Sequence, residues 1–126
     1  MNTDQKMNTQ GLVPMVSVAD VERSIAFYEH LGFEVGNTFA SEGETKPTWA
    51  WLQSNHARLM LSATNEPIAE KHTVLFYVYT EDVLAARKSL IESGLNPGGI
   101  TRPFYAPRGE FELIDPDGYV IMVTHT

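Results

Sequence analysis

The periodicity of apolar and polar positions changes along the first half of the chain, and this change predicts a strand followed by a helix. Residues 12–18 are mostly apolar and β-branched, which favours a strand. Apolar residues then recur at helical spacing from Val21 to Leu31. Asp20 is the expected N-cap of this helix, and Gly32 is the expected residue just beyond its C-terminus.

Three further strands complete a βαβββ unit, which we call module 1 (residues 12–63). The pattern predicts them at residues 33–40, 48–53 and 57–63. A polar loop separates the first two, and a short turn at residues 54–56 joins the last two. The polar stretch 64–71, which contains Pro67, is the expected linker to the rest of the chain.

The second half repeats this plan as module 2 (residues 72–125). A helix is expected from its N-cap Asp82 to Gly94. The predicted strands are residues 72–79, 95–102, 110–114 and 119–125. A Pro-Gly-Gly sequence at 97–99 interrupts the second strand, and an Asp-Pro-Asp-Gly turn at 115–118 joins the last two, with glycine at the position that needs positive φ.

The two modules also share residues at a constant spacing of 62 positions, without any gap. The identical pairs are Val16/Val78, Asp20/Asp82, Val21/Val83, Gly32/Gly94, Gly36/Gly98 and Met60/Met122. The same spacing aligns Trp49 with Phe111 and Leu52 with Ile114. A fixed repeat indicates one supersecondary unit used twice. We therefore expect an α+β fold of two tandem βαβββ modules in a single domain (12–126), with a ligand cleft between like halves.

The composition of the chain limits the kinds of molecule that it is expected to bind. The chain has 126 residues and a formal net charge of −7, which argues against nucleic acid and anionic membranes and suits a cationic or neutral ligand. Cysteine is absent, so thiol nucleophiles and disulfides are excluded. No apolar run has the length of a membrane span, and the polar segment 1–11 reads as a flexible tail without a signal-peptide core. A cytoplasmic protein is expected.

Two motifs resemble a known family. Residues 13–20, 24–28 and 31–33 resemble the opening module of the vicinal oxygen chelate superfamily, and residues 110–119 resemble its closing hairpin. This superfamily includes glyoxalase I, extradiol dioxygenases, fosfomycin-resistance enzymes and bleomycin-resistance proteins. The resemblance covers residues 12–125 and implies two half-barrels that line a cavity. It also implies a homodimer, often formed by pairing a module of one chain with a module of the other.

The resemblance further implies where a metal would bind in the metal-dependent members. The corresponding positions here are Val13, Met60 and Met122, with a fourth within residues 73–75, where the repeat favours Leu75. None is a credible ligand for Fe, Mn, Ni or Zn. We therefore expect no metal and no cofactor, as in the bleomycin-resistance-like metal-free branch.

The four histidines do not restore a metal site in the predicted fold. His72 lies near the fourth family position but is alone there. His30 falls on a helix, His56 in a turn and His125 at the end of the last strand. No ligand cluster is expected from them.

Aromatic side chains give the best ligand-binding candidates. Trp49 and Trp51 lie two apart on one predicted strand and so share a face, as do Tyr77 and Tyr79 in module 2. Such aromatic faces suit a planar or cationic organic ligand, although they also fill cores and dimer interfaces. The predicted ligand-binding set is Met15, Trp49, Trp51, Met60, Tyr77, Tyr79, Arg102, Tyr105 and Met122.

The strand face that lines the cavity is left open by the sequence. If it is the face of Met60 and Met122, then Met15, Arg58, Ser62 and Tyr77 share it. Glu110 and Glu112 share a face of their strand, and on this amphipathic strand we expect that face to be the solvent side. No catalytic residue is identified.

Three functions are compatible with this pattern. The first is metal-free binding or sequestration of a small aromatic or amphipathic molecule, a drug or a metabolite, as in antibiotic-resistance proteins. The second is a lyase, isomerase or dioxygenase of the same superfamily whose divergent metal site recruits His72, His56 or Glu110. The third is a structural dimerisation module with a collapsed cavity.

Overall fold

The computed structural model describes residues 6–126, and the first five residues of the predicted tail lie outside them. Residues 6–14 have no regular secondary structure. The elements follow in the order β1 (Met15–Val18), α1 (Val21–Glu29), β2 (Glu34–Phe39), β3 (Trp49–Ser54), β4 (Ala57–Ala63), β5 (Leu75–Thr80), α2 (Val83–Glu92), β6 (Glu110–Ile114) and β7 (Val120–His125).

Each module folds one helix onto one sheet, which confirms the predicted α+β class. The module 1 sheet has the order β1-β4-β3-β2, and the module 2 sheet has the order β5-β7-β6. Helix α1 packs against β3 and β4, while α2 packs against β6 and β7. The core lies between helices and sheets, where Leu52, Leu61 and Ile121 are fully buried. Apolar burial on this face supplies most of the driving force for folding.

The predicted helix ends are confirmed. The Asp20 side chain accepts a hydrogen bond from the Arg23 amide at 3.2 Å, and Asp82 accepts one from the Ala85 amide at 3.0 Å. Gly32 and Gly94 both follow their helices with φ of +89°, a conformation that favours glycine. Both helices within residues 6–126 have 10 residues or fewer, and neither is long and apolar enough to cross a membrane.

The strand that was predicted at residues 95–102 does not form, so the module 2 sheet has three strands within the described residues. The segment follows the edge of β6 through an isolated bridge between Thr101 and Glu110 and a 2.8 Å hydrogen bond from the Gly98 amide to the Glu112 carbonyl. Pro97 has no amide hydrogen to donate, and two consecutive glycines weaken strand pairing. The prediction of a full βαβββ pattern in module 2 is wrong at this strand.

The repeat is preserved in the pairing of the first and last strands of each module. Met15 lies beside Met60 in the parallel β1–β4 pair, and Tyr77 lies beside Met122 in the parallel β5–β7 pair. These two pairs are related by the sequence spacing of 62. In these strands, residues 62 positions apart therefore occupy equivalent places in the two sheets.

The repeat slips by one residue in the hairpins, so the expected matches of Trp49 with Phe111 and Leu52 with Ile114 are wrong. Trp49 pairs with Ser62, but Thr124, which is the repeat of Ser62, pairs with Glu110. The cause is turn length: residues 55–56 form the loop between β3 and β4, whereas residues 116–118 form the loop within the 115–119 turn. Glu110 therefore occupies in module 2 the place that Trp49 occupies in module 1.

A buried polar junction joins the two modules. The Tyr28 hydroxyl of α1 donates to the Asp115 carboxylate at 2.8 Å. The Asp117 carboxylate, only 3% exposed, accepts from the Ala19 amide at 3.1 Å and the Ser24 hydroxyl at 3.3 Å, and it pairs with Arg23 at 3.2 Å. These bonds hold the Asp-Pro-Asp-Gly turn of module 2 against α1.

Burial sets the ionisation of this junction. It raises the pKa of the Asp115 carboxyl, and the bonds from Tyr28 and from the Tyr119 and Asp117 amides partly oppose that shift. Burial, together with the nearby Asp115 carboxylate, raises the pKa of the Tyr28 hydroxyl far above its ordinary range. Tyr28 is therefore a hydrogen-bond donor throughout the accessible pH range.

Candidate functional site

The sheet surface of module 1 that faces away from α1 carries the predicted aromatic residues. Val16, Leu59 and Leu61 point to the helix and are buried. The alternate residues form the opposite surface, because side chains alternate along a strand. We call this surface the module 1 face, and it consists of Met15, Ser17, Trp49, Trp51, Gln53, Arg58, Met60 and Ser62.

Met60 lies at the centre of the module 1 face. It neighbours Met15 on β1 and Trp51 on β3, while Ser62 neighbours Trp49. Trp49, Trp51 and Met60 are half-buried, and Met15 is 58% exposed. The structure therefore brings four of the predicted ligand-binding residues together on one apolar, partly open surface.

The orientation of Trp51 is fixed by two neighbours. Its indole Nε1 donates to the Gln53 side-chain oxygen at 3.1 Å. Gly36 lies at a β-bulge in β2, and a Cβ built there would lie only 2.8 Å from Trp51 Cδ1. The absence of a side chain at residue 36 is thus what allows the indole ring to lie over β2.

The equivalent surface of module 2 is more polar. We call it the module 2 face, and it consists of Leu75, Tyr77, Tyr79, Glu110, Glu112, Ile114, Val120, Met122 and Thr124. Tyr77 is 45% exposed and Tyr79 is 63% exposed, with Met122 half-buried between β5 and β6. Tyr77 and Met122 share this face. The sequence had left open which strand face lines the cavity, and Tyr77 was expected beside Met122 if the methionine face does.

A loop over residues 101–109 folds onto the module 2 face. The Tyr105 hydroxyl donates to Glu110 Oε2 at 3.2 Å, and the Phe104 ring meets the Tyr105 ring edge-on at 5.4 Å between centroids. The hydrogen bond to Glu110, with a smaller contribution from Tyr77, raises the pKa of Tyr105. Of the two predicted site residues in this loop, Tyr105 reaches the face, whereas Arg102 is exposed to solvent.

Glu110 is buried, so the prediction that it lies on the solvent side of its strand is wrong. The alternating pattern assigned Glu110 and Glu112 to the solvent side, but Glu110 is only 3% exposed whereas Glu112 is exposed. The reason is tertiary, because the 101–109 loop pairs with β6 at Thr101 and covers the neighbouring side chain. No local sequence signal marks a carboxylate that a loop five residues away will cover.

A cleft of about 1010 Å³ lies between the modules. Leu31 and Phe33 of module 1 line one side, and the edge of β5 lines the other. Its volume is at the upper end of the range for small-molecule sites. Of the predicted ligand-binding residues, Tyr77 and Tyr79 line this cleft, while Trp49, Trp51 and Met60 lie on the module 1 face outside it.

The side chains at the family's metal positions do not fit a metal. Met60 and Met122 are thioethers within apolar strands, and Leu75 is an aliphatic residue that is 50% exposed. Within residues 6–126, no three His, Asp or Glu side chains are grouped so that they could hold an ion. The residues at these positions therefore do not form a site for Fe, Mn, Ni or Zn.

His72, the nearest histidine to the fourth family position, has other contacts. Its Nε2 lies 3.0 Å from the Asp117 carbonyl oxygen, and its ring stacks on Tyr119 with 3.7 Å between centroids. Tyr119 in turn donates from its hydroxyl to the Ser17 carbonyl at 3.0 Å. His72 is therefore part of the contact between the modules.

Solved structures share this fold. The structure of SMU.1112c matches with a TM-score of 0.75 and 21% identity, covering 92% of this chain and 98% of that one. A bleomycin resistance determinant encoded on transposon Tn5 matches with a TM-score of 0.70 and 19% identity, covering 94% and 98%. The bleomycin-binding protein of Streptomyces verticillus, complexed with copper(II)-bleomycin, matches with a TM-score of 0.70 and 20% identity, covering 96% and 99%. At these identities the likeness shows the fold.

Sequence comparison gives the family. No curated protein matches the chain significantly. The sequence profile of the Glyoxalase/Bleomycin resistance protein/Dioxygenase superfamily matches residues 12–123, which cover module 1, the linker and all but the last two residues of module 2. With its repeated helix-on-sheet modules, its closing Asp-Pro-Asp-Gly turn and this match over most of its length, the chain belongs to the Glyoxalase/Bleomycin resistance protein/Dioxygenase superfamily.

Proposed function

We propose that this protein binds and sequesters a small aromatic or amphipathic molecule, a drug or a metabolite, without a metal and in the cavity of a homodimer. The observation that carries the proposal is the module 1 face, where Trp49, Trp51 and Met60 form a contiguous, half-buried apolar surface. Aromatic faces bind planar ligands by stacking, and a thioether adapts to their shape. Sequestration requires affinity alone.

The solved structures support binding of a small molecule but do not identify the ligand of this chain. Two of the proteins that share the fold are a bleomycin resistance determinant and a bleomycin-binding protein in complex with copper(II)-bleomycin. Those ligands belong to those proteins. For this chain we propose only the broader class, a compound with an aromatic or apolar part that the module 1 face can cover.

The proposed homodimer follows from exposed apolar side chains on two edge strands. β1 and β5 lie at the edges of their sheets. Met15 on β1 is 58% exposed, and Leu75 and Tyr77 on β5 are 50% and 45% exposed. Apolar side chains clustered at open sheet edges indicate a surface that another chain covers. A second copy placed there would also close the module faces into a cavity.

Intrinsic fluorescence offers a direct test, because both tryptophans of the chain lie on the module 1 face. We expect bleomycin or planar aromatic compounds to change tryptophan emission and to raise the melting temperature, since a ligand that binds the native state stabilises it. Trp51→Leu should abolish binding. The matched control is Leu84→Ala, an exposed apolar residue on helix α2 that lies on neither module face, which should bind normally. A panel that shifts neither signal would contradict the proposal.

Native mass spectrometry tests the dimer and the metal-free state together. We expect a dimer whose mass is unchanged after incubation with Zn²⁺, Mn²⁺, Ni²⁺ or Fe²⁺. Stoichiometric uptake of one of these ions, accompanied by turnover of the methylglyoxal–glutathione adduct or a catechol, would replace binding by a lyase or dioxygenase function. A monomer at micromolar concentration would exclude the dimeric cavity.

A further inference from the structure

Glu110 is a buried carboxylate with one unsatisfied oxygen. The residue is 3% exposed, and its Oε2 accepts the hydrogen bond from Tyr105. Its Oε1 is buried and has no hydrogen-bond partner within residues 6–126. The ion pairs of that part of the chain, Arg23–Asp117 and Lys88–Glu92, do not involve it. Buried polar atoms are almost always hydrogen-bonded, and an unpaired buried charge is costly, so this oxygen needs an explanation.

The surroundings of Glu110 are those of a ligand site. Its side chain lies on the module 2 face beside Thr124, its partner in the β6–β7 pair. The Tyr105 hydroxyl donates to its Oε2 at 3.2 Å, and Tyr77 is close enough to influence the pKa of Tyr105. Aromatic rings around a carboxylate favour a cation, because the ring faces and the carboxylate both attract positive charge.

We infer that Glu110 is the subsite for a cationic group of the ligand, an ammonium or amidinium, whose hydrogen bond satisfies Oε1. Tyr105 is 57% exposed on the 101–109 loop, so we expect its side chain to move aside when the cationic group binds to the carboxylate. This inference rests on the proposed function and narrows its ligand to a cationic amphiphile. The apolar part of such a ligand would lie on the module 1 face, and its charge at Glu110.

Position in the fold distinguishes Glu110 from the other acidic groups of the chain. Asp115 and Asp117 accept their hydrogen bonds from within the protein and join the modules. Glu112, two residues along β6 on the same face, is exposed and solvated. Glu110 is the acidic residue whose buried oxygen remains unpaired in the described chain, so it is the one that a ligand would complete.

A pair of probes that differ in charge tests the inference. We would titrate wild-type protein with 4-phenylbutylamine and with its neutral analogue 4-phenylbutan-1-ol, using tryptophan fluorescence and calorimetry. We expect the amine to bind about tenfold tighter or better, as for a charge-assisted hydrogen bond. Glu110→Gln should remove this preference and leave the affinity for the alcohol unchanged. The control Glu29→Gln, at an exposed carboxylate on α1 that lies on neither module face, should keep the preference.

Stability without ligand gives a second readout. If Glu110 is retained for binding, Glu110→Gln should keep or raise the melting temperature of the ligand-free protein, because it removes an uncompensated buried charge. A fall of several degrees would show that the carboxylate serves the fold and would overturn the inference.

The outcomes separate this inference from the proposal on which it rests. Equal affinity of the two probes for wild type would overturn the cationic subsite and leave aromatic binding intact. This comparison needs no variant, so it decides even if Glu110→Gln fails to fold. Failure of both probes to bind would contradict the proposed function itself, and the subsite with it.

Discussion

The module 1 face and the module 2 face use the same backbone positions for opposite chemistry. Where module 1 has Trp49, paired with Ser62, module 2 has Glu110, paired with Thr124. Where module 1 has Trp51 beside Met60, module 2 has Glu112 beside Met122. The two modules therefore share three paired strands and the central methionines, but one face is aromatic and the other is acidic. In the homodimer that we propose, a cavity between such faces would contact two different parts of one ligand.

The two hairpin turns differ as much as the faces. The loop of module 1 at residues 55–56 is exposed, and Asn55 adopts a φ of +50°. The turn of module 2 has one more residue, and its two aspartates bind α1: Asp117 bonds to the start of the helix, and Asp115 to Tyr28 near the end. The longer turn shifts the register of β6 by one residue. It thereby places Phe111 in the core and Glu110 on the face.

The largest expected effect tests this register. Phe111 is 1% exposed and packs in the core, so Phe111→Ala should lower the free energy of unfolding by about 3–5 kcal/mol. Trp49→Ala, at the residue that the gapless repeat equates with Phe111, should cost roughly half as much, because Trp49 is only half-buried. Urea unfolding of both variants measures the difference. Equal losses of unfolding free energy in the two variants would mean that Trp49 and Phe111 are equivalent, as the gapless repeat has it, and would contradict the one-residue shift in register.

The next effect contrasts the two turns. Asp117→Ala should lower the unfolding free energy by about 2–3 kcal/mol, since it leaves the Ala19 amide and the Ser24 hydroxyl without their acceptor. Asn55→Gly in the module 1 turn should change it by less than about 0.5 kcal/mol. Thermal unfolding of the two variants is the measurement. A neutral Asp117→Ala would show that the modules are held together without this junction.

A smaller effect contrasts two glycines related by the repeat. Gly36→Ala should cost about 1 kcal/mol and alter tryptophan emission, because its Cβ would lie 2.8 Å from Trp51 Cδ1 and displace the indole. In module 2, the equivalent Gly98→Ala places Cβ at 3.4 Å from the Glu112 carbonyl oxygen, an ordinary contact. That variant should keep the wild-type emission spectrum. Matching spectra for both variants would indicate that Trp51 does not lie against residue 36.

The smallest effect concerns pH and the turn of module 2. Burial raises the pKa of Asp115 above its ordinary value of 3.8, so its contribution to stability is greatest below that value and declines as pH rises through the folded pKa. Relative to wild type, Asp115→Asn should therefore gain stability as pH increases from about 4 to about 8. Melting temperatures of both proteins across this range provide the test. A constant difference would mean that Asp115 has the same pKa in the folded and unfolded states.

Local patterns were sufficient for most of the elements. Asp20 and Asp82 were identified as N-caps because each directly precedes a run of apolar residues at helical spacing. A short acidic side chain at that position accepts a hydrogen bond from an amide of the first helical turn. The sequence left open whether Met15 and Tyr77 share the face of Met60 and Met122, and the parallel strand pairs place Met15 beside Met60 and Tyr77 beside Met122. The predicted strand at residues 95–102 failed because Pro97 and the glycines after it reduced it to an isolated bridge.

The sequence by itself determined the fold class, the repeat, the helix ends and the aromatic residues, because each of these depends on neighbours a few positions away or on a constant spacing. Only the tertiary structure decided which face Glu110 occupies and that the loop bearing Tyr105 covers it. It also decided that Asp117 bonds to the start of α1, more than ninety residues earlier in the chain. Burial of a polar side chain depends on what packs over it, and that covering comes from chain segments that the local pattern does not contain.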